Sequence, residues 1–508
     1  ITDGGIGNPG SFTKLGAGTL TLTSANTYSG ATIVGAGVLQ INAIASTSNS
    51  STVTVNSGAI FKSAVAGANL GNVRVLNGGT LRLSTNPNNG TIPTAQILGT
   101  LEIEATIIGP NFDNVRMAAF STLKFLSSSD YQSPLKLLGN VAVNVGTFTG
   151  TISDALINDT AAGGITVSGS GILKLTAANT FTGSTIILSG TLELSGANGA
   201  LASTDVQVGT GGTLSHKNGA AGTSSNARFS NAAIITMNGG TFTIDAPSST
   251  TVNETIGSLA LGSGASSLTF APNTTSSDVI LRTTSLTRTS GTFLNYTRGV
   301  SGSNRTNLVV DDFNDADAVP YISVVESPST IGIPGFYSTT ASTGGIEDGI
   351  VGTKGIVYTS LKSGPWNDDV VAGDGATWSP TGIPGVNDAV IIQSNHKVTL
   401  DSDRSVGSMT FIFVTSQLST ANLDGAFTLN VSGGIRVNSA SNPSPLIGAD
   451  ATTIVNLGSG FSLIQKDGTG TLDIKASLSG TGTLETIATG INPIRFSAAN
   501  AGLSGDIK

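Results

Sequence analysis

Asp311, Asp312, Asp315 and Asp317, in the stretch VVDDFNDAD, form the one dense acidic run of the chain. Hard divalent cations take several oxygen ligands, so calcium is the ion such a run would hold. The spacing lacks the central glycine and final glutamate of a helix–loop–helix calcium loop, and a solvated acidic loop is the competing reading. These four aspartates are the metal-site candidates, and no cofactor other than calcium is expected. Glu102 and Glu104 stand two apart in Leu101-Glu102-Ile103-Glu104. On a strand both face one side with their Cα atoms about 7 Å apart, a separation that suits paired carboxylates in glycoside hydrolysis. A working pair also needs a cleft that drives its two pKa values apart, and a solvated outer face is the simpler expectation. His216 and His396 are the only histidines, and there is no cysteine. That leaves no zinc ligand set and no nucleophile–histidine pair; both histidines are expected on the surface. No glycine-rich stretch runs into Lys-Ser/Thr and a helix, so a phosphate loop is excluded. No catalytic residue is assigned.

Trp366 and Trp378, the only tryptophans, flank a stretch that carries Pro365, Pro380 and Pro384. Two roles suit them. They pack at the end of a repeat array, where an open apolar core needs covering, or they form an aromatic platform for a sugar, which requires exposed rings. They are the binding-site candidates.

The elements that must position these residues are short strands. Val53-Thr-Val55, Asn56-Ser-Gly58, Ala59-Ile-Phe61 reads as strand, bend, strand, as do Val73–Leu83 and Ile235–Ile244. Period-two alternation puts one face inward, and Asn-Gly or Gly-Gly supplies the positive φ of a tight bend. Such strands form either hairpins or successive sides of a coiled parallel sheet; recurrence over hundreds of residues favours the coil. At about 20–25 residues per coil the chain makes on the order of 20 coils. No amphipathic helix of more than two turns is expected. Charged residues are 11% of the chain against about 25% in an average protein, and glycine numbers 67. A net charge of −8 argues against nucleic acid, which needs a basic stripe. No run of 18 apolar residues is present to span a bilayer as a helix. The chain opens and stops in mid-pattern without a visible signal peptide, and is read as a segment of a longer product.

One sentence of sequence occurs twice. Residues 16–41 read GAGTLTLTSANTYSGATIVGAGVLQI and residues 169–194 read GSGILKLTAANTFTGSTIILSGTLEL, aligned without a gap. Asn26 and Asn179 fall at a bend, where asparagine bonds neighbouring backbone; Tyr28 and Phe181 are expected to pack on the coil. With its Gly-x-Gly-Thr-Leu-x-Leu, Asn-x-Tyr-x-Gly and Gly-x-Leu elements in register, the stretch resembles the autotransporter-associated β-strand repeat, also called the passenger-associated transport repeat. The resemblance implies a right-handed parallel β-helix exported to the cell surface, often within an adhesin. Trp378-Ser-Pro-Thr-Gly-Ile-Pro-Gly-Val-Asn-Asp388, followed by a strand and His396-Lys-Val-Thr-Leu400, resembles the opening of β-helical modules in large secreted proteins of the Bacteroidetes type, many of which leave by type nine secretion. The export route stays open between the two.

The fold expected is an all-β, right-handed parallel β-helix (β-solenoid) in two blocks. Residues 1–362 carry the passenger-type repeats, near 12–41 and 165–196, and residues 363–508 form the second block. The leading functional reading is a non-enzymatic adhesin or extended stalk at the cell surface or outside the cell. Its implied partners are an outer-membrane export machinery during secretion and surface glycans or other extracellular ligands. An inert secretion cargo or spacer is the first alternative, because each coil of a solenoid needs only its neighbour to fold. A polysaccharide-active β-helix enzyme is the second; two histidines and 23 scattered Lys and Arg residues weigh against it.

Overall fold

The computed structural model describes the chain except for residues 4–8, 45–51, 86–91, 93, 109–113, 219–226, 248–250, 273–277, 290–291, 299–305, 315–321, 327–348, 355–356, 367–376, 380–382, 385–388, 394–395, 414–421, 440–445, 448–452, 458–460, 468–471, 482, 489–493, 498–501 and 505–508. The chain divides into two compact units, Ile1–Val279 and Ile280–Lys508.

In the first unit the alternating stretches form parallel strands that stack coil upon coil. A first face runs through Phe12–Lys14, Thr32–Val34, Val53–Val55, Val73–Val75, Ala95–Ile97, Val115–Met117, Leu135–Leu137 and Leu156–Asn158. A second begins with Thr19–Leu22, Gly37–Ile41, Ala59–Ser63, Thr80–Leu83, Thr100–Ile103, Thr122–Phe125, Asn140–Asn144 and Gly164–Ser168, and continues through Thr185–Ile187, Asp205–Gly209, Ile234–Asn238 and Val252–Ser263. A third starts only at Ile107–Ile108 and includes Ser129–Gln132, Thr149–Ile152, Ile172–Leu175, Gly190–Leu194, Gly212–His216 and Thr241–Ala246. Hairpins are not used here. A hairpin pairs adjacent strands antiparallel, whereas Val53–Val55 pairs in parallel with Val73–Val75, one coil on.

The first-face register Phe12, Thr32, Val53, Val73, Ala95, Val115, Leu135, Leu156 advances 20 to 22 residues per coil. Inward positions stack like on like. Leu39, Phe61, Leu81, Leu101, Leu123 and Val143 form one buried row. Each such side chain contributes about 1.5–3 kcal/mol by leaving water. A row also fixes register, because a one-residue slip turns every inward group outward.

The register explains how the repeated sentence fits the coil. Seven coils carry Phe12 to Leu156, and Ile165, the counterpart of Phe12 when the gapless alignment is extended, lies one strand further along the chain. The first copy therefore occupies the first and second faces, and the second copy the second and third. The repeat specifies a pair of consecutive strands and its bend, not a particular face. Gly37 and Gly190 open the closing strand of each copy at φ of 66° and 72°. A Cβ there would lie 2.5 Å from the Gly16 and Gly18 carbonyl oxygens in one copy, and 2.7 Å from the Gly171 carbonyl oxygen in the other. Both conditions require glycine.

In the second unit, Thr306–Asn314 pairs in parallel with Gly349–Lys354, and Phe293–Arg298 with Ile322–Glu326. The sheets then change. From Val357–Ser360 onward one sheet runs through Ala389–Gln393, Arg404–Phe413 and Thr428–Ser439, and a second through Gly364–Pro365, Lys397–Thr399, Asn422–Asp424, Leu446–Ile447, Leu472–Ile474 and Ile494–Phe496. Trp378–Ser379 pairs antiparallel with Val357–Ser360, an exception to the parallel rule. This change of sheets is the feature nearest the expected block boundary at 362. Altogether the parallel strands stack as a β-solenoid of about 14 turns. That is fewer than the roughly 20 expected from uniform short coils, because later coils lengthen: Val206 to Ile235 takes 29 residues and Val357 to Ala389 takes 32.

Candidate functional site

The sequence-predicted site residues are not brought together. Asp311 and Asp312 lie on the strand Thr306–Asn314, while Asp315 and Asp317 lie outside the described residues. Among the described residues no three His, Asp or Glu side chains gather as a metal site would require. Trp366 and Trp378 are both fully buried. Their rings meet edge to face with centroids 5.1 Å apart, and the Trp378 indole N–H donates to the Trp366 carbonyl oxygen at 2.8 Å. They belong to the core cluster with Val390, Val398 and Met409. A sugar platform needs an exposed ring face, and neither indole has one.

Glu102 and Glu104 face outward on the second face, but Glu102 is not the solvated residue expected. In the register Lys62, Arg82, Glu102, Lys124, consecutive coils place these side chains side by side. Glu102 accepts from Arg82 Nε at 2.6 Å and lies 3.4 Å from Lys124 Nζ, and the flanking cations cover it to 8% side-chain exposure. Glu104 takes the Ser84 hydroxyl and sits 3.6 Å from Lys62 Nζ. The Ser84 hydrogen bond, with Lys62 and Arg82 nearby, holds its carboxyl below the ordinary value. This arrangement is a charge ladder that clamps coil to coil. Neither carboxyl is desolvated and raised, as a general acid would have to be.

His216 departs most from expectation. Gly212–His216 pairs with Gly190–Leu194, so His216 stands in register with Leu194 and points into the core. It is fully buried, with Glu254 and Arg228. Glu254 Oε2 accepts from His216 Nε2 at 2.9 Å and from the Arg228 backbone N–H at 3.0 Å, and Oε1 accepts from the Phe229 N–H at 3.3 Å. The Arg228 guanidinium donates to the carbonyl oxygens of Gly199 and Gly196 at 2.6 and 2.8 Å, and to Asn218 Oδ1 at 3.0 Å. Asn218 Nδ2 donates to the Asp245 carbonyl oxygen at 2.9 Å and faces His216 Nδ1 at 3.4 Å. With the amide fixed this way round, Nδ1 is the acceptor and the ring is the neutral Nε2–H tautomer. Burial pulls the Arg228 guanidinium down to about 10, against the Glu254 charge beside it. The network is closed to solvent. It sits where the coil lengthens to 29 residues, so its evident work is to fasten the extra chain to the interior. The phase of the alternation could have revealed it, since Gly212-Thr-Leu-Ser-His216 follows the pattern of Gly190-Thr-Leu-Glu-Leu194. His396 is half-buried and bonds the Ser360 hydroxyl through Nδ1 at 2.8 Å.

The two repeat copies share their local chemistry. Asn26 and Asn179 are buried, and each Nδ2 donates two residues back, to the Ser24 carbonyl oxygen at 3.0 Å and the Ala177 carbonyl oxygen at 2.8 Å. Asn179 also joins three coils: Oδ1 accepts from the Leu156 N–H at 3.0 Å, and Nδ2 donates to the Ala200 carbonyl oxygen at 2.9 Å. Tyr28 and Phe181 are buried core residues. The Tyr28 hydroxyl meets Thr32 Oγ1 at 2.7 Å. In the second copy Phe181 has no hydroxyl, and the buried Oγ1 of the corresponding Thr185 has no hydrogen-bond partner.

Comparison with known proteins agrees with this reading of the repeat. The family model described as passenger-associated-transport-repeat matches residues 12–41 and 165–194. No curated protein matches the chain, and no solved structure does. The Asn bridge, the buried aromatic and the paired strands thus recur at both matched stretches, and the chain is a parallel β-solenoid that carries two copies of the passenger-associated-transport repeat.

Proposed function

We propose that the chain is the passenger part of an exported bacterial surface protein and acts as an adhesin or extended stalk. The observation that carries this reading is the pair of passenger-associated-transport repeats inside one register of stacked coils in the first unit. A solenoid of this kind grows by adding coils, each of which buries its row against the last. That suits a chain that emerges through an export channel and folds outside. The outward rows leave flat faces for an extended partner. Location at the cell surface, an outer-membrane export machinery and type nine secretion as one route belong to the same proposal. So does calcium at Asp311, Asp312, Asp315 and Asp317.

The test is retention of the purified chain on a panel of polysaccharides and extracellular-matrix proteins, with calcium and with chelator, scoring release of product as well. Retention without cleavage supports the adhesin. Cleavage overturns the non-enzymatic reading. Neither would leave the stalk or spacer, whose outer faces should tolerate substitution everywhere. Loss of retention on chelation would support the calcium site.

A further inference from the structure

The first face of the first unit carries an outward row with a distinct chemistry. Arg74, Gln96, Arg116 and Lys136 occupy the single outward position of four consecutive three-residue strands. Coils repeat about every 4.8 Å, close to the rise of one ring in an extended sugar chain. Arg74 and Gln96 are exposed, and Arg74 has no ion pair among the described residues. Arg116 keeps 43% of its side chain exposed although Asp159 Oδ2 approaches its Nε to 3.4 Å, and Lys136 donates to Asn114 Oδ1 at 2.7 Å. The row is all donors, with no carboxylate among its own four residues, in a chain whose net charge is −8.

At the corner that follows Arg116 stands Phe120, 93% exposed. Its φ is 64°, the only positive φ of a non-glycine residue among those described. The turn Ala118–Ser121 closes through Ser121 N–H to the Ala118 carbonyl oxygen at 3.1 Å. The same turn recurs at Asn56–Ala59 and Leu76–Gly79, closed at 3.1 and 2.9 Å, with Gly58 and Gly78 at the strained position, φ 74° and 77°. Glycine would relieve the strain at 120 as it does there. A bulky aromatic kept in the left-handed region, in full contact with water, contributes nothing to the core. Strain of this kind collects at functional sites.

Together these observations point to a ligand. We propose that the row Arg74, Gln96, Arg116 and Lys136, with Phe120 at its edge, binds an acidic polysaccharide built of uronate sugars. Arginine takes a carboxylate by two parallel N–H bonds, glutamine and lysine serve hydroxyls and further carboxylates, and the Phe120 ring offers a flat apolar face to the C–H side of a sugar ring. The inference rests on the adhesive reading above and names its ligand class.

Affinity electrophoresis through gels that contain polygalacturonate, dextran sulfate, neutral dextran or duplex DNA would test it, beside the matrix-protein panel. The expected result is retardation by polygalacturonate and none by neutral dextran. Phe120→Gly should weaken binding roughly tenfold, the value of one aromatic contact, without lowering the thermal midpoint; a merely structural Phe120 would lower it. Replacing Arg74, Arg116 and Lys136 together by Gln should abolish retardation and its salt dependence. Tighter binding to dextran sulfate or DNA than to polygalacturonate overturns the uronate assignment. So does binding by Phe120→Gly and the triple variant equal to that of the parent. A chain that holds a matrix protein but no anionic glycan loses this site and keeps the adhesive role. A chain that holds nothing on either panel loses both.

Discussion

Phe181→Tyr should stabilise the second repeat. The structure supplies both the vacancy and its remedy. Thr185 is fully buried, and its Oγ1 has no partner. In the first repeat the corresponding Thr32 Oγ1 is met by the Tyr28 hydroxyl at 2.7 Å. An unmade bond at a buried hydroxyl costs about 1–3 kcal/mol, and a hydrogen bond gained on folding is worth about 0.5–1.5 kcal/mol. The tyrosine hydroxyl must itself be desolvated, so the net gain expected is about 1 kcal/mol. The competing term is steric: an added oxygen that does not fit costs about 1–3 kcal/mol. Because solenoids open locally, the assay is native-state hydrogen exchange at the second repeat, including the Phe181 amide, which donates to the Leu156 carbonyl oxygen at 3.3 Å. A gain of that size slows exchange roughly fivefold. The reverse change, Tyr28→Phe, should speed exchange in the first repeat by a similar factor. Faster exchange in Phe181→Tyr, or no effect of Tyr28→Phe, would refute the claim that the two copies share one local structure.

Other substitutions probe the remaining contacts. Glu254→Ala strands the buried Arg228 charge and two backbone N–H groups; it should cost about 3–5 kcal/mol, read as faster exchange at Arg228 and Phe229, while His216→Leu should cost far less because its register neighbour is Leu194. Asn179→Ala leaves the Leu156 N–H and the Ala200 carbonyl oxygen unpaired and should cost about 1–3 kcal/mol, measured by denaturant unfolding. Gly190→Ala forces a Cβ to within 2.7 Å of a carbonyl oxygen at a φ of 72° and should cost at least the roughly 1–2 kcal/mol of the left-handed region. Glu104 has its pKa lowered, chiefly by the Ser84 hydroxyl. Its contribution to stability is therefore fully present above the ordinary value of 4.5 and is lost as pH falls through the lower folded value. Ser84→Ala should shrink that acid-dependent loss in a pH titration of the melting midpoint.

The strands were legible because alternation is local. Val53–Val55, Val73–Val75 and Phe242–Ile244 each show two inward apolar residues around one outward polar residue, and a bend residue follows. The choice of coil over hairpin was legible from recurrence. What was not legible is the phase of the coil. The two repeat copies differ by one face because coils of 20 to 22 residues accumulate an offset that no single bend reveals. His216, Arg228 and Glu254 read as surface residues by type, and only their inward phase on the strands betrays them. Trp366 and Trp378 were read between packing and recognition, and their edge-to-face contact in the core favours packing. Phe120 looked ordinary in Ala-Ala-Phe-Ser, because its strain and exposure exist only once the coil is closed.

Every functional statement rests on the parallel coil register, which decides what faces outward. The chain has no cysteine, so an introduced pair reports cleanly. Thr122 and Ala142 are register partners on neighbouring coils, and Ala142 and Thr166 are partners on the next. Strands in register sit about 4.8 Å apart, within the Cα separation a disulfide accepts. Mild oxidation of Thr122→Cys/Ala142→Cys and of Ala142→Cys/Thr166→Cys should form an intramolecular disulfide in each native protein, while Thr122→Cys/Asn144→Cys, shifted by two, should form far less. Cross-linking of the shifted pair in preference to the register pairs would contradict the solenoid and every outward row derived from it.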